Sequence, residues 1–108
     1  MGYVKISNTE SEYSGESFTQ VITKKDDSVW SATEIAVYSM VDKVGAVLAT
    51  GSLIKSPEGK ELGFTIGKSI TGSLKGAYKV IVDLRDSGNA EISDVIAEYN
   101  IVYSARTA

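Results

Sequence analysis

The chain has no cysteine and no histidine, and its 108 residues include one proline, one tryptophan and two phenylalanines. Without cysteine, neither a disulfide nor a thiolate metal site can form. Without histidine, the commonest general base and the commonest metal ligand are both missing. A single proline against ten glycines points to many tight turns and no proline-rich linker. Leucine is scarce too: there are five, against eleven valines and ten isoleucines. That β-branched excess favours strands over helices. No window reaches the roughly 18 apolar residues of a spanning helix, and Met1-Gly2-Tyr3-Val4-Lys5 does not lead into the apolar run of a signal peptide. The net charge of −3 is mildly acidic, which argues against non-specific binding to nucleic acid or to an anionic membrane.

What is present suits one small all-β domain spanning 1–108. Hydrophobic residues make up 43 %, enough to bury a core without staples. The clearest segment runs from Gly76 to Arg85. Tyr78, Val80, Val82 and Leu84 alternate with Lys79, Asp83 and Arg85, the period-2 pattern of a strand with one dry face. We expect it to be the central strand. Around it, Phe18–Thr23, Glu34–Val41 with a start reaching back over Ser28, Trp30, Ser31 and Thr33, Ala46–Ile54, Glu61–Ile66 and Ile92–Ser104 read as further strands, with a short first strand over residues 3–7. Residues 8–17, rich in Ser and Glu, read as a loop or mobile arm, leaving a core over about 17–104. Turns are expected at Lys24–Ser28, at Asp42–Gly45, at Ser56-Pro57-Glu58-Gly59 and at Asp86–Ala90. Residues 67–76 read as a crossing loop with Ile70 and Leu74 tucked beneath it. About seven strands at this spacing are the signature of an antiparallel β-sandwich.

Several residues have expected structural roles. Trp30 is a core anchor, joined by Phe64, Tyr78, Val80, Val82 and Tyr99, while Gly76 lets the chain turn sharply before Tyr78. In Ile92–Ser104, Val95, Ala97, Tyr99, Ile101 and Tyr103 share one face, and Ile96, Glu98, Asn100 and Val102 the other. Glu34–Val41 is apolar on both faces: Ile35, Val37 and Val41 on one, Ala36, Tyr38 and Met40 on the other. Such a strand is covered on both sides, as at a subunit contact. Tyr13, Tyr38 and Met40 are therefore the expected partner-binding residues, since aromatic anchors concentrate at interfaces.

The inventory for chemistry is thin. Lys68 and Ser69 are adjacent but have no base-orienting partner. Asp83 and Glu98 fall on neighbouring strands and read as a solvated face rather than an acid/base couple. Asp86-Ser87-Gly88-Asn89 lacks the alternating acidic ligands of a calcium loop and reads as an Asx-type turn. Gly72–Gly76 lacks the strand–loop–helix setting of a phosphate site. No catalytic, cofactor-binding or metal-binding residues are expected.

The order of features from Ser17 to Tyr103 carries a resemblance. Val29-Trp30-Ser31-Ala32 is followed by a turn and the return Val47-Leu48-Ala49-Thr50-Gly51. A Gly-bearing hairpin leads into Leu62-Gly63-Phe64-Thr65-Ile66. Then come Leu74-Lys75-Gly76-Ala77-Tyr78 with the strand to Arg85, and Asp94-Val95-Ile96-Ala97-Glu98-Tyr99-Asn100-Ile101. This resembles the small immunoglobulin-like domains of tailed-phage and prophage structural proteins, such as the N-terminal domains of baseplate upper proteins. Gly76 and Tyr78 match their Gly-x-Tyr element, and the Ser/Glu-rich N-terminal part departs from the pattern. The resemblance implies an immunoglobulin-like sandwich and a non-enzymatic virion protein of head, neck, tail or baseplate. Such a protein is made in the bacterial cytoplasm, docks on other virion proteins and can form a homo-oligomer. The alternative from the residues is a ligand- or carbohydrate-binding module using exposed Tyr side chains such as Tyr13 and Tyr38.

Overall fold

A computed structural model describes residues 6–24, 28–86 and 89–104. Eight strands and one short helix form two facing sheets: β1 (Ile6–Tyr13), β2 (Phe18–Thr23), β3 (Glu34–Asp42), β4 (Val47–Ser52), β5 (Ile54–Lys55), β6 (Glu61–Ile66), α1 (Lys68–Thr71), β7 (Gly76–Asp86) and β8 (Asn89–Ser104). One sheet has the order β1-β8-β7-β3-β4 and the other β2-β6-β5. The expected central strand is thus the third of five. The chain is an all-β sandwich.

The core follows from alternation. Val80, Val82 and Leu84 of β7 are buried, as are Phe18 and Ile22 of β2 and Leu62, Phe64 and Ile66 of β6. Tyr99, Ile101 and Tyr103 come in from β8. Phe18 meets the Tyr99 ring edge-on at 5.5 Å and lies 6.0 Å from the Phe64 ring, which ties the two sheets together through aromatic contacts. Trp30 is buried but lies in the loop before β3 rather than in a strand, its backbone N–H donating to the Gly59 carbonyl at 2.8 Å. Leu74 is buried and Ile70 packs against the core, closing one end beneath α1.

Two turns show why glycine stands where it does. Asp42 Oδ1 accepts from the N–H groups of Val44 and Ala46, both at 3.0 Å, and Gly45 completes this turn at φ +89°. Gly76 opens β7 at φ +88°, where any side chain would be strained although space is open around it.

The structure corrects three expectations. Residues 8–13 are not a loop: they belong to β1, which runs parallel to β8 from Ile6↔Ala97 to Tyr13↔Ser104. Backbone pairing holds this edge strand, so its polar side chains need no dry face. Ala46–Ile54 is not one strand. After Ser52 the chain crosses at the buried Leu53, whose N–H donates to the Ala36 carbonyl at 2.9 Å, and β5 joins the other sheet. In β8 the register slips between Val82↔Ala97 and Asp83↔Val95, so Ile96 and Ala97 are both buried while Val95 is exposed. The expected placements of residues 3–5, 25–27, 87–88 and 106–108 lie outside the described residues.

Candidate docking face and groove

Strand β3 pairs with β4 on one edge and β7 on the other, so its own edges are unavailable and only its faces remain. Ala36 and Met40 point inward and are buried, Met40 completely. Met40 is therefore a core residue and not a docking residue. Tyr38 also points inward and is half-buried; its ring stacks on Phe64 at 4.9 Å with the planes 17° apart. Ile35, Val37 and Val41 point outward, with Ile35 45 % exposed.

No layer of the described residues covers that outward face. Its two halves differ. On β3 and β4 it presents Ile35, Val37, Ser39, Val41, Val47 and Leu48, with no charge. On β7 and β8 it carries Lys79, Asp83, Arg85 and Glu98 around Ile81, Val95 and Val102. An antiparallel sheet with one wet face normally turns polar residues outward; here the second half turns charges out, and the first turns out only the hydroxyls of Ser39, Thr50 and Ser52. The ladder sets Asp83 opposite Val95 and Glu98 opposite Ile81, so these two carboxylates are diagonal neighbours on the wet half. A shallow hollow of about 390 Å³ at one end of this face is lined by residues including Val41, Lys43, Lys79, Ile81 and Asn100.

A second feature lies between the sheets. Strand β5 pairs with β6 at only two positions, Ile54↔Gly63 and Lys55↔Leu62; it begins opposite Gly63, so nothing on that edge pairs with Phe64–Ile66. The sandwich is left open there, beside β4. The resulting groove is about 500 Å³, and Tyr38, Phe64, Gly51, Gly63, Lys55 and Thr65 are among the residues around it. Gly51 is required by the packing: a Cβ at this position would lie 2.7 Å from Cε2 of Tyr38. Tyr38 stands out in the sequence, but this role of Gly51 does not. The signal was a glycine opposite an aromatic on the paired strand.

Tyr13 is exposed at the end of β1, at the far edge of the five-stranded sheet from the groove. Strands β8 and β7 separate it from β3, so Tyr13, Tyr38 and Met40 do not form one surface. Trp30, Phe64, Val80, Val82 and Tyr99 are all buried, and Tyr78 packs partly against them.

Two clusters fix the ends of the sandwich. At one, Lys24 donates to Glu34 Oε1 at 2.9 Å and sits 5.2 Å above the Trp30 ring. The Ser31 N–H also donates to Glu34 Oε1, at 2.7 Å. Burial alone would push the Glu34 carboxyl up, but the Ser31 N–H and the Lys24 ammonium outweigh it and hold the group below the usual carboxylate range. At the other end, burial first and then repulsion from Glu12, Glu16 and Tyr78 push the Tyr103 phenol up to about 12. Glu12 is likewise pushed up, by burial and then by Glu16 and Glu10. Among the described residues, no group of three or more His, Cys, Asp or Glu side chains could hold a metal ion.

No protein-family model and no curated protein sequence matches the chain. Solved structures do. Over its full length the chain is similar to CopC from Methylosinus trichosporium OB3b, covering 89 % of that chain at 10 % identity with a TM-score of 0.55. It is also similar to the fibronectin(III)-like modules of Clostridium thermocellum CbhA, at 12 % identity over 99 % of this chain and 100 % of that one, with a TM-score of 0.52. At such identities the likeness concerns the fold alone, and it makes the chain an immunoglobulin-like β-sandwich.

Proposed function

We propose that this chain is a non-enzymatic docking domain of a tailed-phage or prophage particle, placed at the head, neck, tail or baseplate by contact with other virion proteins. One observation carries the docking part: the outward half-face of β3 and β4, where Ile35, Val37, Val41, Val47 and Leu48 stand uncovered around Ser39, Thr50 and Ser52, without a charge among them. Burying such a face stabilises a complex by roughly 25 cal/mol for each Å² removed from water, and an apolar patch on a sheet marks an interaction site. The particle assignment is supported by the resemblance from Ser17 to Tyr103. The scarcity of acid/base groups supports a binding role over catalysis.

The test uses particles assembled with Ile35→Asp, Val37→Asp or both. Each variant should fold, because the positions face outward, yet the protein should be lost from purified particles. Incorporation at the wild-type level would refute the assignment of this face.

A second reading is favoured by one feature, the groove beside the stacked Tyr38 and Phe64 rings. There the chain would hold a small ligand or carbohydrate. Glycan binding that disappears in Tyr38→Ala but survives Ile35→Asp would favour it over the docking reading.

A further inference from the structure

The outer edge of β4 is open, and its chemistry is unlike that of the other edge of the same sheet. Leu53 donates its N–H to Ala36 at the end of the β3–β4 ladder. By the alternation of an antiparallel pair, Ala49 and Gly51 also turn their backbone groups toward β3. Thr50 and Ser52 therefore turn theirs outward, and no strand among the described residues pairs with them. Such a row of donors and acceptors is complementary to another extended backbone.

Edge strands are ordinarily protected by charge or proline. The opposite edge, β1, carries Glu10 and Glu12, with Glu16 just beyond it. Residues 44–54, by contrast, contain neither a charged residue nor a proline. Val44, Val47, Leu48 and Ile54 all lie in this run, and all are exposed. The free edge of β2 is also uncharged, but its run is shorter, bounded by Glu16 and Lys24, and exposes only Val21 among large apolar residues.

We propose that two copies of this chain pair through β4, antiparallel, about a two-fold axis at Thr50, so that their five-stranded sheets continue into one another. A second copy fits because this register brings together only uncharged residues: Thr50 with Thr50, Ser52 with Leu48, and Ala49 with Gly51. Thr50 becomes a hydrogen-bonded pair across the axis, each copy donating its N–H to the other's carbonyl. The nearest charge along the chain, Lys55, lies past the crossing at Leu53, on β5 of the other sheet and outside the paired strands. The five residues Leu48–Ser52 that this register pairs span about 17 Å at about 3.4 Å each, so the contact sits at the small end of specific interfaces and association depends on concentration. The pairing depends on the β4 edge alone and not on the particle assignment.

Sedimentation equilibrium of the full chain from micromolar to millimolar concentration tests it. The wild type should show a reversible monomer–dimer equilibrium. Thr50→Lys and Thr50→Glu should each weaken the dimer at least tenfold by placing like charges face to face on the axis. An equimolar mixture of the two should restore dimerisation, because the charges are then opposite. Thr50 is exposed, so both variants should melt close to the wild type; if either does not, Leu48→Glu, also exposed, should give the same loss of dimer. The proposal is overturned by a wild type that remains monomeric throughout, by charged variants that dimerise as well as the wild type, or by a mixture no more associated than its parts. A monomer that still enters particles would sink this pairing and leave the docking reading standing.

Discussion

Tyr103→Phe should stabilise the protein, and the gain should grow in alkali. The Tyr103 ring is buried against Tyr78 in an edge-on contact at 5.8 Å, and its hydroxyl is buried without a hydrogen-bond partner among the described residues. A buried unsatisfied hydroxyl costs about 1–3 kcal/mol, and removing it while keeping the ring leaves the packing intact. Taking the low end, the variant should gain about 1 kcal/mol at pH 7, which raises the melting temperature by about 4 °C for a chain of this size. The pH dependence follows from the phenol being pushed up to about 12 in the fold. In the unfolded chain a tyrosine ionises near 10. Between those values only the unfolded state releases this proton, so stability that is fully present below pH 10 is lost as pH rises toward 12. At about 1.4 kcal/mol per unit, the wild type loses roughly 2 kcal/mol through this group by pH 11.5. Phenylalanine has no proton to lose, and every other residue is the same in the two proteins. Urea unfolding monitored by the single Trp30 should therefore show the gap widening from about 1 kcal/mol at pH 7 to about 3 kcal/mol at pH 11.5. A variant clearly less stable at pH 7 would mean the hydroxyl makes a favourable bond. Parallel pH curves would mean that Tyr103 ionises as freely in the fold as out of it.

Three other outcomes are expected. Met40→Ala should cost about 2–5 kcal/mol in chemical denaturation, the penalty of a core cavity; a cost below about 1 kcal/mol would contradict its placement inside the sandwich. Glu34→Gln should cost about 1 kcal/mol at pH 7. The folded-state pKa of Glu34 is lowered, so its contribution is present above the unfolded carboxylate value and is lost as pH falls through the folded one; the variant should show a flatter acid limb in unfolding measured from pH 7 to pH 2. Gly51→Ala should drive the Tyr38 ring off Phe64, changing the near-ultraviolet circular dichroism while the far-ultraviolet spectrum stays the same; an unchanged near-ultraviolet signal would show that the ring was not held there.

How much was legible beforehand depended on which residues had to choose a side. In β7 the choice is forced, because Val80 and Val82 alternate with Lys79 and Asp83, and charge cannot go inward at low cost. The central strand was therefore readable from the sequence. In β3 both faces are apolar, so alternation does not say whether Met40 or Val37 is dry, and Met40 suits a docking role as well as a core one. Beyond residue 7, strand β1 gives no signal, because the exposed Thr9 and Ser11 contribute to the sheet through backbone and not through burial. The slip in β8 was hidden for a different reason. Ile96 and Val95 are equally good strand formers, and only the partner β7 decides which of them goes in. Trp30 was placed in the core by its size alone, and the loop that carries it there was invisible to any periodicity.

The groove and the open β4 edge have one origin in the chain. Val47 to Ile54 is an uninterrupted apolar and small-residue run, yet it serves two sheets, because the backbone crosses at Leu53. A strand that leaves one sheet after Ser52 has only Ile54 and Lys55 left for the other before the Ser56–Gly59 turn reverses it. Sheet β2-β6-β5 is thus too narrow to cover β4. That leaves Tyr38 and Phe64 half-roofed on the inside and Thr50 and Ser52 unpaired on the outside. The crossing thus sets both openings: β5 begins only opposite Gly63, so Phe64, Thr65 and Ile66 have no β5 partner, and the chain that would have flanked β4 has gone to the other sheet.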